Sequence, residues 1–269
     1  MNTFLAANEA SLRLGIFLGI LFTMAIWEAL APRRVLTQSK ATRWANNLGL
    51  TMFNTILARL AMPVAAVGVA LFAGEKGWGL LNWLLLPNWA AGLVAIAGLD
   101  LAIYVQHRLF HRIAPLWRLH RMHHTDLDLD VTSGARFHPL EIILSQIIKM
   151  GVVVILGAPA WAVVAFEIIL NGTAMFNHAN VRLDLRVDRW LRLLLVTPDM
   201  HRVHHSVVHR ETDSNFGFNF PWWDRLFGTY CDQPEAGHLA MTIGLGNYRD
   251  SKWLKLHWML LVPFVQADR

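Results

Sequence analysis

Histidines recur in this chain at spacings that suit metal binding. One segment has two histidines four residues apart, and two other segments each have histidines at positions i, i+3 and i+4. On a helix these positions share a face, so their imidazole rings can converge on an ion. The eight residues are His107 and His111, then His120, His123 and His124, then His201, His204 and His205. Because the triplet spacing occurs twice beside the pair, we interpret the set as metal ligands rather than scattered surface or core histidines.

The number of histidines indicates more than one ion. Eight imidazoles exceed the four ligands of a tetrahedral site, which predicts two ions or two sites. Neutral imidazole binds iron, zinc, copper and nickel, so the ligand type alone leaves the metal open. Cys231 is the single cysteine, which excludes a cysteine cage for zinc or for an iron–sulfur cluster. The HExxH motif of zinc proteases does not occur in the sequence.

An acidic residue, Asp100, lies seven positions before the first histidine of the pair, on the same helical face. A carboxylate inside an apolar segment is costly and usually functional. We predict that Asp100 accepts the free ring N–H of a ligating histidine. The alternative is a buried acid that is paired with a basic residue.

The composition predicts the elements that position these residues. The chain is 55% hydrophobic and only 16% charged, against about 25% charged residues in an average soluble domain. Four apolar regions stand out, at about residues 12–31, 48–73, 80–105 and 140–170. The last is too long for one span and is interrupted by Gly157 and Pro159, which predicts a helical hairpin. These patterns predict an all-α fold, an integral membrane helical bundle.

The charge pattern predicts the orientation of this bundle. Arg33, Arg34 and Lys40 follow the first apolar region, which places that loop on the cytoplasmic side by the positive-inside rule. The later regions then return every histidine segment to the same side. We therefore expect a single domain over residues 1–269 with a cytoplasmic, histidine-rich helical cap at about 107–138 and 176–230. The membrane is a bacterial inner membrane or the endoplasmic reticulum. Nucleic acid is excluded as a partner because the basic residues are interleaved with Trp and Leu.

The ordered set of motifs resembles the fatty acid hydroxylase superfamily, which includes sterol desaturases, sterol C-4 methyl oxidases and alkylglycerol monooxygenase. The matching segments are HRLFH, HRMHH, RFHPLE, FNHAN, HRVHHS, ETDSNFG and WWDRLFGTY, between about residues 100 and 230. The resemblance implies a helical membrane fold, two iron ions and O2-dependent hydroxylation or desaturation of a lipid C–H bond.

The resemblance also assigns roles to single residues. It implies that the eight clustered histidines are iron ligands and that His178 is a ninth. It leaves His138 open between a direct ligand and a contact with a neighbouring group or a lipid headgroup. Asp213, Asp224 and Arg225 match motif positions, and we interpret them as holding the cap together. The segment 216–223, which contains Phe218, either lines a lipid access path or forms an interfacial belt.

Electrons must come from another protein, because no cytochrome b5 region or flavin or nicotinamide fingerprint is recognisable. A ferredoxin or cytochrome b5 type carrier with its reductase is the expected donor. The basic residues beside the histidines either dock this acidic carrier or bind lipid phosphates; they are Arg108, Arg112, Arg118, Arg121 and Arg202. The sequence leaves the oligomeric state open.

Two other functions compete with an oxygenase. A metal transporter or metal-binding protein would distribute histidines or acids through the depth of several spans. A haem electron carrier would place single histidines opposite one another on different helices. Both are less favoured here, since the histidines gather in tight groups on one predicted face.

Overall fold

The described part of the chain is helical. The computed structural model describes residues 3–84 and 86–265, and these residues contain no strand beyond two isolated bridges. The predicted domain ends at residues 1–2 and 266–269, and residue 85 in the third predicted apolar region, lie outside the described residues. The longest helices are α1 (Thr3–Leu30), α2 (Lys40–Ala61), α5 (Asn88–Arg112), α7 (Pro139–Leu156) and α8 (Ala160–His178). Two short helices, α3 (Ala66–Glu75) and α4 (Leu80–Trp83), connect α2 to α5.

Five stretches are long and apolar enough to cross a membrane: Ala10–Leu30, Lys40–Trp83, Asn88–Arg112, Pro139–Leu156 and Ala160–His178. Large apolar side chains such as Phe22, Leu60 and Ile155 are exposed on these helices, as expected for faces that contact lipid. The prediction of an all-α membrane bundle is confirmed.

Local sequence explains where the long helices begin and end. Ser39 accepts a hydrogen bond from the Thr42 amide and so caps the start of α2, which begins well before the predicted apolar region at 48. Gly157 ends α7 with a left-handed φ of +67°, a conformation that favours glycine. Pro159 then precedes α8. The fourth apolar region therefore forms two helices of 18 and 19 residues.

The bundle core lies among α3, α5, α7 and α8, where small and branched side chains are fully buried, for example Ala95, Val153 and Val163. Charged residues also meet inside the bundle. Glu167 on α8 pairs with Lys149 on α7 and, at 2.5 Å, with Arg13 on α1. Charges buried in hydrocarbon are costly unless they are paired, and these pairs tie three helices together.

One end of the bundle carries a cap of short helices. The helices α1, α5 and α8 end there, and α2 and α7 begin there. The chain after α1 contacts the chain after α8 through the Pro32–Val181 bridge. The short helices of the cap are α6 (Ala114–His124), α9 (Leu185–Leu191), α10 (Pro198–His204), α11 (His209–Thr212) and α12 (Trp222–Leu226).

Buried arginines hold this cap to the bundle. The Arg43 guanidinium on α2 lies 2.9 Å from the Asp126 carboxylate and also contacts Asp130. Arg136 donates to the Asn47 side chain at 3.2 Å and to the Trp253 carbonyl at 2.9 Å. Removing one partner of a buried ion pair leaves an uncompensated charge, at a cost of about 3–5 kcal/mol. These contacts therefore fix the cap on the ends of the long helices.

Candidate metal centre

Nine buried histidines form two groups in the cap. Within each group, one possible ligand atom from every residue lies within 4.8 Å of those from the others. The first histidine group consists of His107, His111, His120, His124 and His204. The second histidine group consists of His123, His178, His201 and His205. The structure thus brings together nine of the ten histidines that the sequence offers as candidate ligands, and the tenth, His138, is not among them.

Each sequence triplet is divided between the two groups. On α6, His120 and His124 belong to the first group and His123 belongs to the second. At α10, His204 belongs to the first group, whereas His201 and His205 belong to the second. On a helix, the residues at i+3 and i+4 lie one turn above residue i, one slightly to its left and the other slightly to its right. Their rings can therefore point toward two different ions. Both helices therefore run between the two groups and supply each of them.

The long helices supply the remaining members. His107 and His111 lie one turn apart in the last turns of α5 and both join the first group. His178 is the last residue of α8 and joins the second group. The helix α10 begins at Pro198, after Thr197, whose side chain accepts a hydrogen bond from the Met200 amide.

Oxygen atoms hold six of the nine rings by their Nδ1 atoms. The carboxylate contacts are His120 to Glu141, at 2.7 Å, and His111 to Asp213, at 3.2 Å. The other four rings contact backbone carbonyls at 2.7–3.0 Å: His107 to Phe216, His123 to Arg136, His178 to Ala174 and His204 to Ser214. An Nδ1–H that donates to oxygen fixes the tautomer and leaves Nε2 as the free lone pair. These Nε2 atoms are the ones available to a metal.

The arrangement of the Nε2 atoms fits a bound cation. His107 Nε2 lies 3.1 Å from His120 Nε2, and His123 Nε2 lies 3.1 Å from His178 Nε2. All four rings donate from Nδ1, so neither nitrogen in each Nε2 pair has a proton to share. Two lone pairs face each other in both places, and a cation between them removes this repulsion.

Further buried nitrogens point to the same conclusion. The Nε2 atoms of His124, His204 and His205 have no hydrogen-bond partner among the described residues. An unsatisfied buried polar atom costs about 1–3 kcal/mol. Metal ligation would satisfy all three of these atoms within the two compact groups.

Burial keeps three of the grouped imidazoles, those of His124, His204 and His205, neutral. It lowers the pKa of His204 to about 3, an effect that the hydrogen bond to the Ser214 carbonyl partly opposes. Burial, followed by repulsion from neighbouring imidazoles, also holds the pKa of His124 and His205 well below the usual value. Neutral imidazole is the form that binds iron, zinc or copper, so the groups are ready for a metal at pH 7.

Two predicted site residues lie elsewhere. His138 precedes α7 and accepts a hydrogen bond from the Leu140 amide at Nδ1, while its Nε2 lies 3.3 Å from the Leu260 carbonyl. Both ring nitrogens therefore have partners outside the two groups. Asp100 accepts a hydrogen bond from the Trp223 indole at 2.8 Å, and the structure does not place it against a histidine ring nitrogen.

Sequence reasoning missed the two carboxylates that contact the ligand candidates. Glu141 follows His138 in the RFHPLE motif, and Asp213 lies in the ETDSNFG motif. The motif position of Asp213 predicts only a role in holding the cap together, yet its Oδ1 contacts the His111 ring. The positions of Glu141 and Asp213 within these motifs are the sequence signal that could have identified them. The pairing itself joins distant segments, which spacing along the chain does not reveal.

Aromatic rings line the two groups on different sides. The Trp117 ring contacts His111 and His124 of the first group, with centroid distances of 4.9 and 5.5 Å. Phe137 stacks on His123 of the second group at 4.5 Å. Phe218 contacts members of both groups, including His107 at 6.1 Å. These apolar rings limit the access of water to the centre.

Known proteins match this chain over more than half of its length. It is 27% identical over 228 residues to ornithine lipid hydroxylase OlsE of Rhizobium tropici, a match that covers 81% of this chain and 67% of that protein. It is 29% identical over 159 residues to alkylglycerol monooxygenase of Homo sapiens, covering 59% of this chain and 34% of that protein. Fatty acid hydroxylase vlmA of a Lecanicillium species is 25% identical, covering 77% of this chain and 60% of that protein.

The chain thus spans about two thirds of the rhizobial relative and about a third of the human one. No solved structure matches it. The family model described as fatty acid hydroxylase matches residues 92–229, a range that contains all nine grouped histidines together with Glu141 and Asp213. Since this match covers more than half of the 269 residues, the chain belongs to the fatty acid hydroxylase family.

Proposed function

We propose that this protein is an O2-dependent membrane di-iron oxygenase that hydroxylates a C–H bond of a lipid. The observation that carries the proposal is the division of nine buried imidazoles into two adjacent groups. Two groups of nitrogen ligands without cysteine suit a pair of iron ions. The names of the relatives support the reaction, since one hydroxylates ornithine lipid and another is an alkylglycerol monooxygenase.

The residues of each group would hold one iron ion. The first histidine group would supply five nitrogens and the second four. Iron bound there would supply the reduction of O2 that oxidises a C–H bond. The protein's own part is to keep the rings neutral, to fix their tautomers and to hold them in place before the metal binds.

Carboxylates and carbonyls perform this positioning. Glu141 holds the His120 ring, and Asp213 holds the His111 ring. A carboxylate that accepts the ring N–H increases the basicity of the imidazole and so strengthens its bond to a metal. The four backbone carbonyls also accept the ring N–H and orient the imidazoles. Because a carbonyl carries no net charge, it increases the basicity of the ring less than a carboxylate does.

Apolar residues around the groups favour a lipid substrate. Phe137 and Phe218 cover the second group beside the ends of the long helices. Exclusion of water protects a reactive oxidant and leaves an apolar surface for an alkyl chain. We propose that Phe218 lines the path of the substrate chain, with Asp100 and Trp223 fixing the segment that carries it.

The position of the centre supports an oxygenase at the cytoplasmic surface. The basic loop with Arg33 and Arg34 lies at the same end of the bundle as both groups, since the Arg33 amide donates to the Asn180 carbonyl near α8. By the positive-inside rule this end is cytoplasmic. An external carrier supplies the electrons there, and residues 1–269 act as one membrane-embedded domain.

Metal analysis and isotope incorporation test the proposal. The purified protein, reconstituted with ferrous iron in lipid nanodiscs, should contain about two iron ions per chain, one for each group. When it is expressed under ¹⁸O2, a membrane lipid should gain one ¹⁸O atom that is missing from cells expressing His204→Ala. Zinc in place of iron in the active protein, or equal lipid labelling in both strains, would contradict the proposal.

A further inference from the structure

One exposed corner of the cap lies directly against the first histidine group. We define the α5–α6 corner as Arg112, Ile113, Ala114, Pro115, Trp117 and Arg118. All of these residues are exposed except Trp117, which is half-buried. The corner therefore has an apolar centre with a basic residue on either side. Protein–protein interfaces have the same arrangement, an apolar core surrounded by a polar rim.

Trp117 connects this surface to the centre. Its ring lies against His111, His124 and His120, with centroid distances of 4.9, 5.5 and 6.5 Å. All three are members of the first histidine group. A single indole thus bridges the exposed corner and three of the ligand candidates.

The charged residues in and around the corner are all basic along the chain. Residues 105–125 contain four arginines and no Asp or Glu. The structure also narrows the set of arginines that the sequence offers for docking. Arg121 is buried and donates to the Val262 carbonyl at 2.7 Å, and Arg202 is buried against Asp199. Arg112 and Arg118 remain exposed at the corner.

We propose, building on the function proposed above, that the α5–α6 corner docks an acidic one-electron carrier protein and that the Trp117 indole is the contact through which electrons reach the first histidine group. Basic residues around an apolar patch complement an acidic carrier and increase its rate of association. A lipid headgroup would bind the arginines but would gain nothing from an indole packed against three ligand candidates.

The electron balance fits this arrangement. Hydroxylation inserts one atom of O2 into a C–H bond and releases the other as water, which consumes two electrons and two protons. Each docking event oxidises one carrier by one electron and reduces the centre by one electron. Two docking events at the same corner therefore supply one turnover.

Carrier binding is measured separately from catalysis. The probe is a plant-type [2Fe–2S] ferredoxin, added to the full-length protein in phosphatidylcholine nanodiscs, both iron-free and iron-loaded. Arg112→Glu with Arg118→Glu should weaken ferredoxin binding at least about tenfold at low ionic strength, and salt should reduce the difference. The matched control is Arg186→Glu with Arg189→Glu, which makes the same charge change on α9.

An equal loss of affinity in both double variants would assign the effect to overall charge and overturn the proposal. Unchanged affinity in the corner variant would overturn it too. If the charge reversals disturb folding, judged by elution volume and iron content, Arg112→Gln with Arg118→Gln replaces them and should give a smaller loss in the same direction.

The role of the indole is tested by electron transfer without lipid substrate. The absorbance of the iron centre follows its reduction by ferredoxin, and the rate is divided by the rate with dithionite in the same sample. This ratio should fall severalfold in Trp117→Leu and recover in Trp117→Phe, while Trp190→Leu, an exposed tryptophan on α9, should keep the wild-type ratio.

An unchanged ratio in Trp117→Leu would overturn the role of the indole. Neither measurement needs lipid turnover, so the docking proposal and the oxygenase proposal can fail separately. Ferredoxin that docks and reduces the centre while no lipid gains ¹⁸O would leave the corner assignment intact.

Discussion

His120 Nδ1 lies 2.7 Å from a carboxylate oxygen of Glu141, with both side chains buried. Glu141 belongs to the first turn of α7, and His120 belongs to α6. This contact links a membrane-crossing helix to the first histidine group, and it orients a ring that contributes its Nε2 atom to that group. In the proposed centre the carboxylate would therefore influence the metal without touching it.

Replacing this carboxylate should weaken iron binding. We expect Glu141→Ala to lower the affinity for ferrous iron about 10–100-fold, because a ligating histidine loses the group that fixes its tautomer and basicity. Competition with a calibrated chelator measures the affinity. Glu75→Ala, an exposed acid at the end of α3, is the control and should bind iron as the wild type does. Wild-type affinity in Glu141→Ala would show that the contact is only structural.

Removing one ligand from each group should abolish turnover. His123→Ala and His204→Ala should each eliminate lipid hydroxylation, since each leaves one group short of a nitrogen, while insertion into the membrane is retained. Iron content and ¹⁸O incorporation provide the two measurements. His257→Ala, at an exposed histidine outside both groups, is the matched control. Full activity in either ligand variant would refute the ligand assignment.

His138 should stabilise α7 rather than bind metal. Its Nδ1 caps the helix, so His138→Ala should lower the free energy of unfolding by about 1 kcal/mol and leave the iron content unchanged. His138→Asn, which can also cap a helix, should restore most of the stability. Thermal unfolding followed by tryptophan fluorescence and metal analysis measure the two effects. Loss of an iron ion in both variants would instead make His138 a ligand.

Asp224 should make stability depend on pH. Burial raises the pKa of its carboxyl to about 6, so the native state takes up a proton at a higher pH than the unfolded chain. The wild type should therefore gain stability relative to Asp224→Asn as the pH falls from 7 to 4, by at most about 3 kcal/mol. Unfolding temperatures of both proteins across this range test the sign. A difference that stays constant with pH would contradict it.

The sequence predicts the helical membrane fold because apolar length and the breaks at Gly157 and Pro159 are local signals. It also identifies eight of the nine grouped histidines, because their spacing is local too, whereas His178 is identified only through the resemblance of the FNHAN motif. It does not predict that each triplet serves both groups, since positions i, i+3 and i+4 look the same whether a helix faces one ion or lies between two. Only the packing of α6 against α10 and α8 decides this.

The other differences have similar causes. His138 stands directly before Pro139 at the start of a helix and caps it, whereas its place in the RFHPLE motif leaves it open as a ligand. Asp100 shares a helical face with His107. Its carboxylate nevertheless accepts a hydrogen bond from the indole of Trp223, which comes from a distant part of the chain. The contacts of Glu141 and Asp213 also join separate segments, and no periodicity in the sequence encodes them.

The division of the triplets has a consequence for biosynthesis. Both groups combine histidines from α6 with histidines at 201–205. The first group cannot be complete until residue 204 has been synthesised, and the second until residue 205, and all five long helices precede these residues. The histidines of α5 and α6 are synthesised before α7 and α8, so they remain without the rest of their groups until later segments follow. In the proposed di-iron centre, iron would therefore be loaded late, after the five long helices have been synthesised.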